Sequence, residues 1–278
     1  MRCKRGEMLI RGIRVPEEKL INEVYNVIKK ANENGIVLRV LGGLAIYIHS
    51  DHSPRCRYLH KTLGRLDEAC TFTDVDLIAY KRQIKDVKNF FEKTLNYIPN
   101  PYINTLFGNK RLIYHHPEKI FSADIFFDKL EFSHDITFKD RLEIDFPTIS
   151  PTDLALEKLQ IHDINKKDII DLLVLFLGHK LSETNGNSVI SANYIANKLA
   201  EDWGFYYDAV HNLETIKQFT YRLTSENKLT SEEQSLLIER INRLLKIIEE
   251  TPKTKNWLKR AKAGTSKPWY RKVEEIVR

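Results

Sequence analysis

Apolar positions along this chain recur at two periods, and the change from one to the other divides the sequence. "PEEKLINEVYNVIKKANEN" at 16–34 opens on Pro-Glu-Glu, carries apolar residues at helical spacing and runs into an Asn-Gly stop, which predicts a helix. "IVLRVLGG" reads as a short buried strand ending in two glycines, and "LAIYIHS" continues as a helix. Residues 51–73 are rich in His, Arg and Lys without a clean period, so a long loop or insertion is expected there, with room for a short helix. Further on, the pattern predicts a strand at 74–80, a helix at about 84–97 and a Pro/Asn turn at "IPNPYINTLFGN". Two strands follow, "KRLIYHH" and "IFSADIFFD", then a short strand or turn near "LEFSH". After Pro147 the texture changes: "SPTDLALEKLQIHD" begins with an N-cap signal, and nearly everything beyond it is helical by period. The expected organisation is therefore a mixed domain over 1–150 and a helical one over 151–278, an α+β (α/β) fold without internal repeats.

Composition narrows this picture. At 278 residues and 42% hydrophobic, the chain has enough apolar material for a well-filled core. The longest apolar run, "IIDLLVLFLG", is too short to span a bilayer and contains a charge, so it is expected as a buried helix. "MRCKRGEMLIRG" is basic but lacks the apolar stretch of a signal peptide, which favours a soluble, cytoplasmic protein with no membrane partner. Cys3, Cys56 and Cys70 form no CxxC pair and suit a reducing compartment.

Charge matters more by its distribution than by its net value of +6. From Lys253 onward come Lys255, Lys259, Arg260, Lys262, Lys267, Arg271 and Lys272, with Trp257, Trp269 and Tyr270 among them. Such a segment could hold a polyanion by charge and base stacking, or be solvated helices whose tryptophans pack inward.

The chemistry begins at "TFTDVDLIAY". Side chains two apart on a strand share a face, so Asp74 and Asp76 project together. Two carboxylates at one spot repel, and a divalent cation relieves that repulsion; solvent-facing acids on an edge strand would give the same pattern. A two-metal site calls for a further acid on a neighbouring strand, and "SADIFFD" supplies Asp124. Upstream, Gly42 and Gly43 between a strand and a helix offer backbone N–H groups for phosphate oxygens, or an ordinary tight turn. His49, His52, Cys56, His60 and Cys70 are possible soft-metal ligands, but their spacing matches no recognised zinc pattern. His115 and His116 before Pro117 read as a turn. Motifs of P-loop ATPases, dinucleotide-binding enzymes, serine hydrolases and zincins are absent from the sequence.

A glycine turn, a strand DxD and a later strand acid, in this order, resemble the nucleotidyltransferase superfamily of polymerase-beta-like enzymes. "LGGLAIYIHS", "TDVDLIAY", "ADIFFDKLEFSH", "LALEKLQIHDINKKDIIDLLVLF" and "EDWGFYYDAVHNL" together look like a group of bacterial and archaeal nucleotidyltransferase-like proteins related to the abortive-infection toxin (AbiEii) nucleotidyltransferases. The resemblance implies a nucleotidyltransferase-fold mixed sheet with flanking helices, followed by a helical C-terminal domain. It implies Asp74, Asp76 and Asp124 as ligands of two Mg²⁺ and as the catalytic acids, with Gly42 and Gly43 at the triphosphate of an NTP. Lys158, Lys167, Asp168 and Asp171 match the lysine, the basic-acidic pair and the further aspartate of the toxin relatives, so Lys158, Asp168 and Asp171 are expected at the nucleotide. Asp168 could equally be a helix N-terminal charge or a lysine's salt-bridge partner.

The chain departs from the toxin pattern in its long gap between Gly43 and Asp74. Arg55, Arg57, His60, Lys61 and Arg65 in that gap could clamp a phosphate, or belong to a solvated loop. The implied reaction moves a nucleoside monophosphate to an acceptor hydroxyl. RNA such as a tRNA end leads among acceptors, a protein hydroxyl or a small molecule stays open, and a cognate antitoxin is implied as a protein partner. The alternative is a protein of the same fold that binds nucleotide, nucleic acid or a partner without turnover.

Overall fold

In the computed structural model, described over residues 16–65, 72–184 and 186–273, the N-terminal half alternates helices and strands in the order α1 (Glu17–Glu33), β1 (Leu38–Val40), α2 (Gly42–His49), α3 (Pro54–Thr62), β2 (Asp74–Ala79), α4 (Ile84–Asn89), β3 (Ile98–Pro99), α5 (Pro101–Leu106), β4 (Arg111–His115) and β5 (Ser122–Phe127). A hairpin follows, β6 (Lys129–Glu131) and β7 (Asp135–Thr137), and then α6 (Pro151–Leu159) and α7 (Lys166–Gly178). The rest comprises a parallel pair, β8 (Lys180–Ser182) and β9 (Val189–Ser191), with α8 (Ala192–Leu199), α9 (Trp203–Ser225), α10 (Ser231–Glu250) and α11 (Lys255–Ala261).

Five strands form one mixed sheet in the order β1-β2-β5-β4-β3. β2 and β5 run parallel at its centre, and the other pairs are antiparallel. Centre and edge explain the burial: every residue of β5 is buried, and the strand reads as a nearly continuous apolar run, "SADIFF", broken by one aspartate. The fold is thus α+β, with flanking helices and a helical C-terminal region, as the apolar pattern predicts.

α6 and α7 are the central helices of the molecule. Ser150 caps α6 through its side chain, Pro151 occupies the first turn, and all nine residues of the helix are buried, including Asp153, Glu157 and Lys158. Arg141 holds Asp153 through two hydrogen bonds of 2.5 and 3.0 Å, which fixes the loop entering the helix. α7 contains the "IIDLLVLFLG" run and buries it, with Asp171 fully inaccessible among leucines. Among the described residues no helix is long and apolar enough to cross a membrane.

Two sequence expectations need correction. The 51–73 insertion does hold the short helix it has room for, but over 51–65 it is ordered as a tight 3₁₀ turn and then α3, capped by Ser53 with Pro54 in its first turn and burying Cys56, Leu59 and His60. The expected turn at "IPNPYINTLFGN" holds β3 and α5. The soft-metal candidates of this region go to separate partners: His49 to Thr148 and the Ile149 carbonyl, His52 to the Gly178 carbonyl, His60 to Asp171, and Cys56 to the Val174 carbonyl. Cys3 and Cys70 lie outside the described residues.

The basic C-terminal segment folds back on the protein. Asp208 of α9 accepts hydrogen bonds from His134 (2.7 Å), His162 (3.0 Å) and the Trp269 indole (3.0 Å), and Tyr270 stacks on His162 with ring centres 3.5 Å apart. Burial opposes the charge on Asp208, but these donors outweigh it and hold its carboxyl below the usual range. Trp269→Ala should cost about 2 kcal/mol, less than a fully buried aromatic, because Trp269 keeps part of its surface in water. It should also speed tryptic cleavage after Lys262 and Arg271; a cleavage rate equal to that of the unaltered chain would show that the indole does not hold this segment.

Candidate active site

The strand register gathers the acids. In the parallel β2–β5 pair, Asp74 lies opposite Ser122 and Asp76 opposite Asp124, so the three aspartates share one face of the sheet. Val75, Leu77, Ala123 and Ile125 take the other face and enter the core. β4 adds Arg111, opposite Phe126, and His115, opposite Ser122, to the face that carries the acids. Asp74 is exposed, Asp76 half-buried and Asp124 1% exposed.

Asp124 is held by Arg111. The guanidinium meets it as a fork, Nε at 2.7 Å from Oδ1 and Nη2 on Oδ2. Beside it, His115 Nδ1 and Ser122 Oγ hydrogen-bond at 2.9 Å. Burial lowers the basicity of His115 against the opposing pull of Asp74. Among the described residues no three His, Cys, Asp or Glu side chains already converge as a metal-binding group.

The glycine pair opens α2 and is pinned to the acids. The Leu41 N–H donates to the Asp76 carbonyl at 2.9 Å, which joins the turn to β2. Gly42 has φ +75°, and a Cβ there would sit 3.0 Å from Asp76 Oδ2, so both backbone conformation and space require glycine. Its N–H donates to Glu157 Oε2 at 3.0 Å. A Cβ on Gly43 would lie 1.7 Å from Arg65 Nη2 and 2.8 Å from its Cζ; the guanidinium rests directly on this residue.

Beneath the turn is a buried charge cluster. Asp171 receives His60 Nε2 and Arg65 Nε, each at 2.7 Å, and pairs with Lys158 at 3.1 Å; Lys158 also donates to Asp168 at 2.8 Å. Burial opposes the Lys158 charge, yet Asp171, Asp168 and Glu157 outweigh it and raise its pKa. Burial alone would raise the Asp171 carboxyl, but Lys158, His60 and Arg65 bring it below the usual range. Lys158, Asp168 and Asp171 thus meet in one cluster with the insert, each engaged with another side chain. Lys167 is exposed at the start of α7. Arg55 pairs with Glu233, Arg57 with Asp51 and Glu17, and Lys61 with Glu17, all by salt bridges apart from this cluster.

Sequence reasoning missed Glu157 and Arg111. Glu157 leaves a signal, a Glu-Lys pair inside an otherwise apolar helical stretch, "LALEKL". Arg111 stands at the head of an apolar strand beside Lys110, and its partner depends on strand pairing that one sequence does not reveal. Burial pushes the Glu157 carboxyl up to about 7, with Lys158 and the Gly42 N–H opposing and the charges of Asp76 and Asp171 adding to the rise.

This raised acid makes stability pH-dependent. The unfolded chain ionises Glu157 at an ordinary 4.5 and the folded chain at about 7, so its contribution is full below 4.5 and is lost as pH rises through 7. Glu157→Gln keeps an acceptor for Gly42 and removes the titration. Between acid and mildly alkaline pH, denaturant unfolding should therefore find the unaltered chain losing up to about 3 kcal/mol relative to the variant. A gap that stays constant with pH would sever Glu157 from folding linkage.

No family model and no curated protein matches the chain. A solved structure similar to it is the crystal structure of an antigenic nucleotidyltransferase-like protein from Paracoccidioides brasiliensis, with 12% identity, a TM-score of 0.38, and coverage of 87% of this chain and 97% of that one. At that TM-score the likeness carries no argument about fold or chemistry.

Proposed function

We propose that this chain is a metal-dependent nucleotidyltransferase, related to the AbiEii toxin enzymes, that moves a nucleoside monophosphate from an NTP to an acceptor hydroxyl and releases pyrophosphate. The observation that supports this reading is one of placement: Asp76 lies against Gly42 and in register with Asp124, so the acids and the N–H groups of α2 share one end of the sheet.

The donor set suits magnesium, because it is all carboxylate oxygen and small enough to leave coordination positions for phosphate. Asp74 and Asp76 would hold two Mg²⁺, joined by Asp124 once Arg111 yields one of its oxygens. When bound, the metal neutralises triphosphate charge and makes the acceptor hydroxyl easier to deprotonate. The backbone of Gly42 and Gly43 orients the phosphates, and Asp124 takes the acceptor proton on a carboxylate oxygen. The acceptor oxygen then bonds the α-phosphorus as the bond to the β-phosphate bridge breaks, and pyrophosphate leaves with that electron pair. Lys158 and its partners keep the floor of the turn rigid and near neutral charge.

An RNA acceptor fits the lysines that stay exposed near the C-terminus, Lys255, Lys259, Lys262, Lys267 and Lys272, while Trp269 is engaged in packing. Contact there would run through phosphate charge more than through stacking. The Arg111–Asp124 fork favours the second reading, a protein that binds nucleotide without turnover.

The test is magnesium-dependent labelling of total RNA, and of the protein itself, with each α-³²P NTP beside Asp74→Asn and Asp124→Asn. Label from one NTP that falls by about 100-fold or more in both variants is the expected result. Absence of label with folded protein would replace the enzyme by the non-catalytic binder.

A further inference from the structure

α3 and the turn that follows it supply five cationic side chains, and the structure separates them. Arg55, Arg57 and Lys61 are tied to Glu233, Asp51 and Glu17. His60 is fully buried on Asp171. Arg65 alone of the five reaches the glycine turn, and its position there is over-determined. Asp171 binds the guanidinium through Nε at 2.7 Å, Phe72 lies 5.5 Å from its centre, and its Nη2 end lies where a Gly43 side chain would otherwise be. Its side chain keeps 15% exposure, so it is not sealed from a ligand, whereas the carboxylate that orients it has none.

We infer that Arg65 is the residue that grips the triphosphate at the glycine turn, with Asp171 as the positioning residue that aims it. The inference rests on the nucleotidyl-transfer reading and deepens it. A planar fork of N–H donors matches two phosphate oxygens at once, and an arginine whose Nε is already anchored loses little further freedom when it does so. The backbone N–H groups of α2 and the Nη groups of Arg65 then face the same anion from two sides. The ligand recognised is a polyphosphate chain, independent of the base it carries. Gly43 acquires a role distinct from that of Gly42: its missing side chain makes room for an arginine, whereas Gly42 makes room for Asp76 and supplies a left-handed turn.

Equilibrium binding, with no turnover required, tests this. The unaltered chain, Arg65→Gln, Arg65→Lys and Gly43→Ala are compared for binding of the four NTPs and of inorganic tripolyphosphate. Arg65→Gln should weaken NTP and tripolyphosphate alike by about tenfold or more, and Arg65→Lys, which keeps charge but not the fork, by less. Gly43→Ala drives the guanidinium off the turn while retaining it in the chain, and should reproduce the loss by a second route. Arg55→Gln, remote and held by Glu233, should change nothing. Binding that is equally tight in the unaltered chain and Arg65→Gln would overturn this assignment and leave the nucleotidyl-transfer reading standing. Failure of the unaltered chain to bind any NTP or tripolyphosphate would overturn both.

Discussion

A carboxylate with no exposure to solvent, Asp171, draws together a histidine and an arginine of the insert and a lysine of α6. Left alone in the interior it would be among the most costly groups a protein can bury; with its partners in place its charge is compensated, and each partner is fixed by it in turn. His60 ties α3 to α7, Lys158 ties α6 to α7, and Arg65 is carried from the end of the insert to the start of α2. The glycine turn therefore rests on an ionic floor whose members cannot be exchanged singly. Replacing one leaves the others as uncompensated buried charge, which accounts for charged side chains occupying helices that are otherwise apolar throughout.

Much of the scaffold is legible in the sequence because it follows from local period. Once "TFTDVDLIAY" is granted as a strand, two-residue alternation leaves Asp74 and Asp76 no option but a common face. The long apolar run of α7 announces its own burial, and the Ser-Pro signals of α6 mark its start. The insert is less legible, although it too has a Ser-Pro start. Its apolar positions are few, and what buries His60 is an aspartate 111 residues away. Non-local pairing of that kind leaves no trace in a window of neighbouring residues. The same limit applies to Arg111, which meets Asp124 only because β4 and β5 pair in one particular register. Tertiary ion pairs, more than secondary structure, are what a single sequence conceals here.

Arg111 also changes what the acid triad means. Three carboxylates on one sheet face invite the assumption of a site waiting for metal, yet one of them already has a cation of the protein's own. Its charge is compensated during folding, so the sheet can assemble without help from an ion. Any divalent ion that uses Asp124 must compete with a bidentate arginine.

The hydrogen bond from the Gly42 N–H to Glu157 carries a similar implication for ligands. An anion arriving at the head of α2 finds a carboxyl group seated there, so association at that point is an exchange and not a simple addition. Glu157 is poised near neutrality, and displacing it alters how tightly it holds its proton. The apparent heat of such an exchange would then include proton transfer to or from the buffer, and calorimetry in buffers of different ionisation enthalpy would resolve that part from the contact itself.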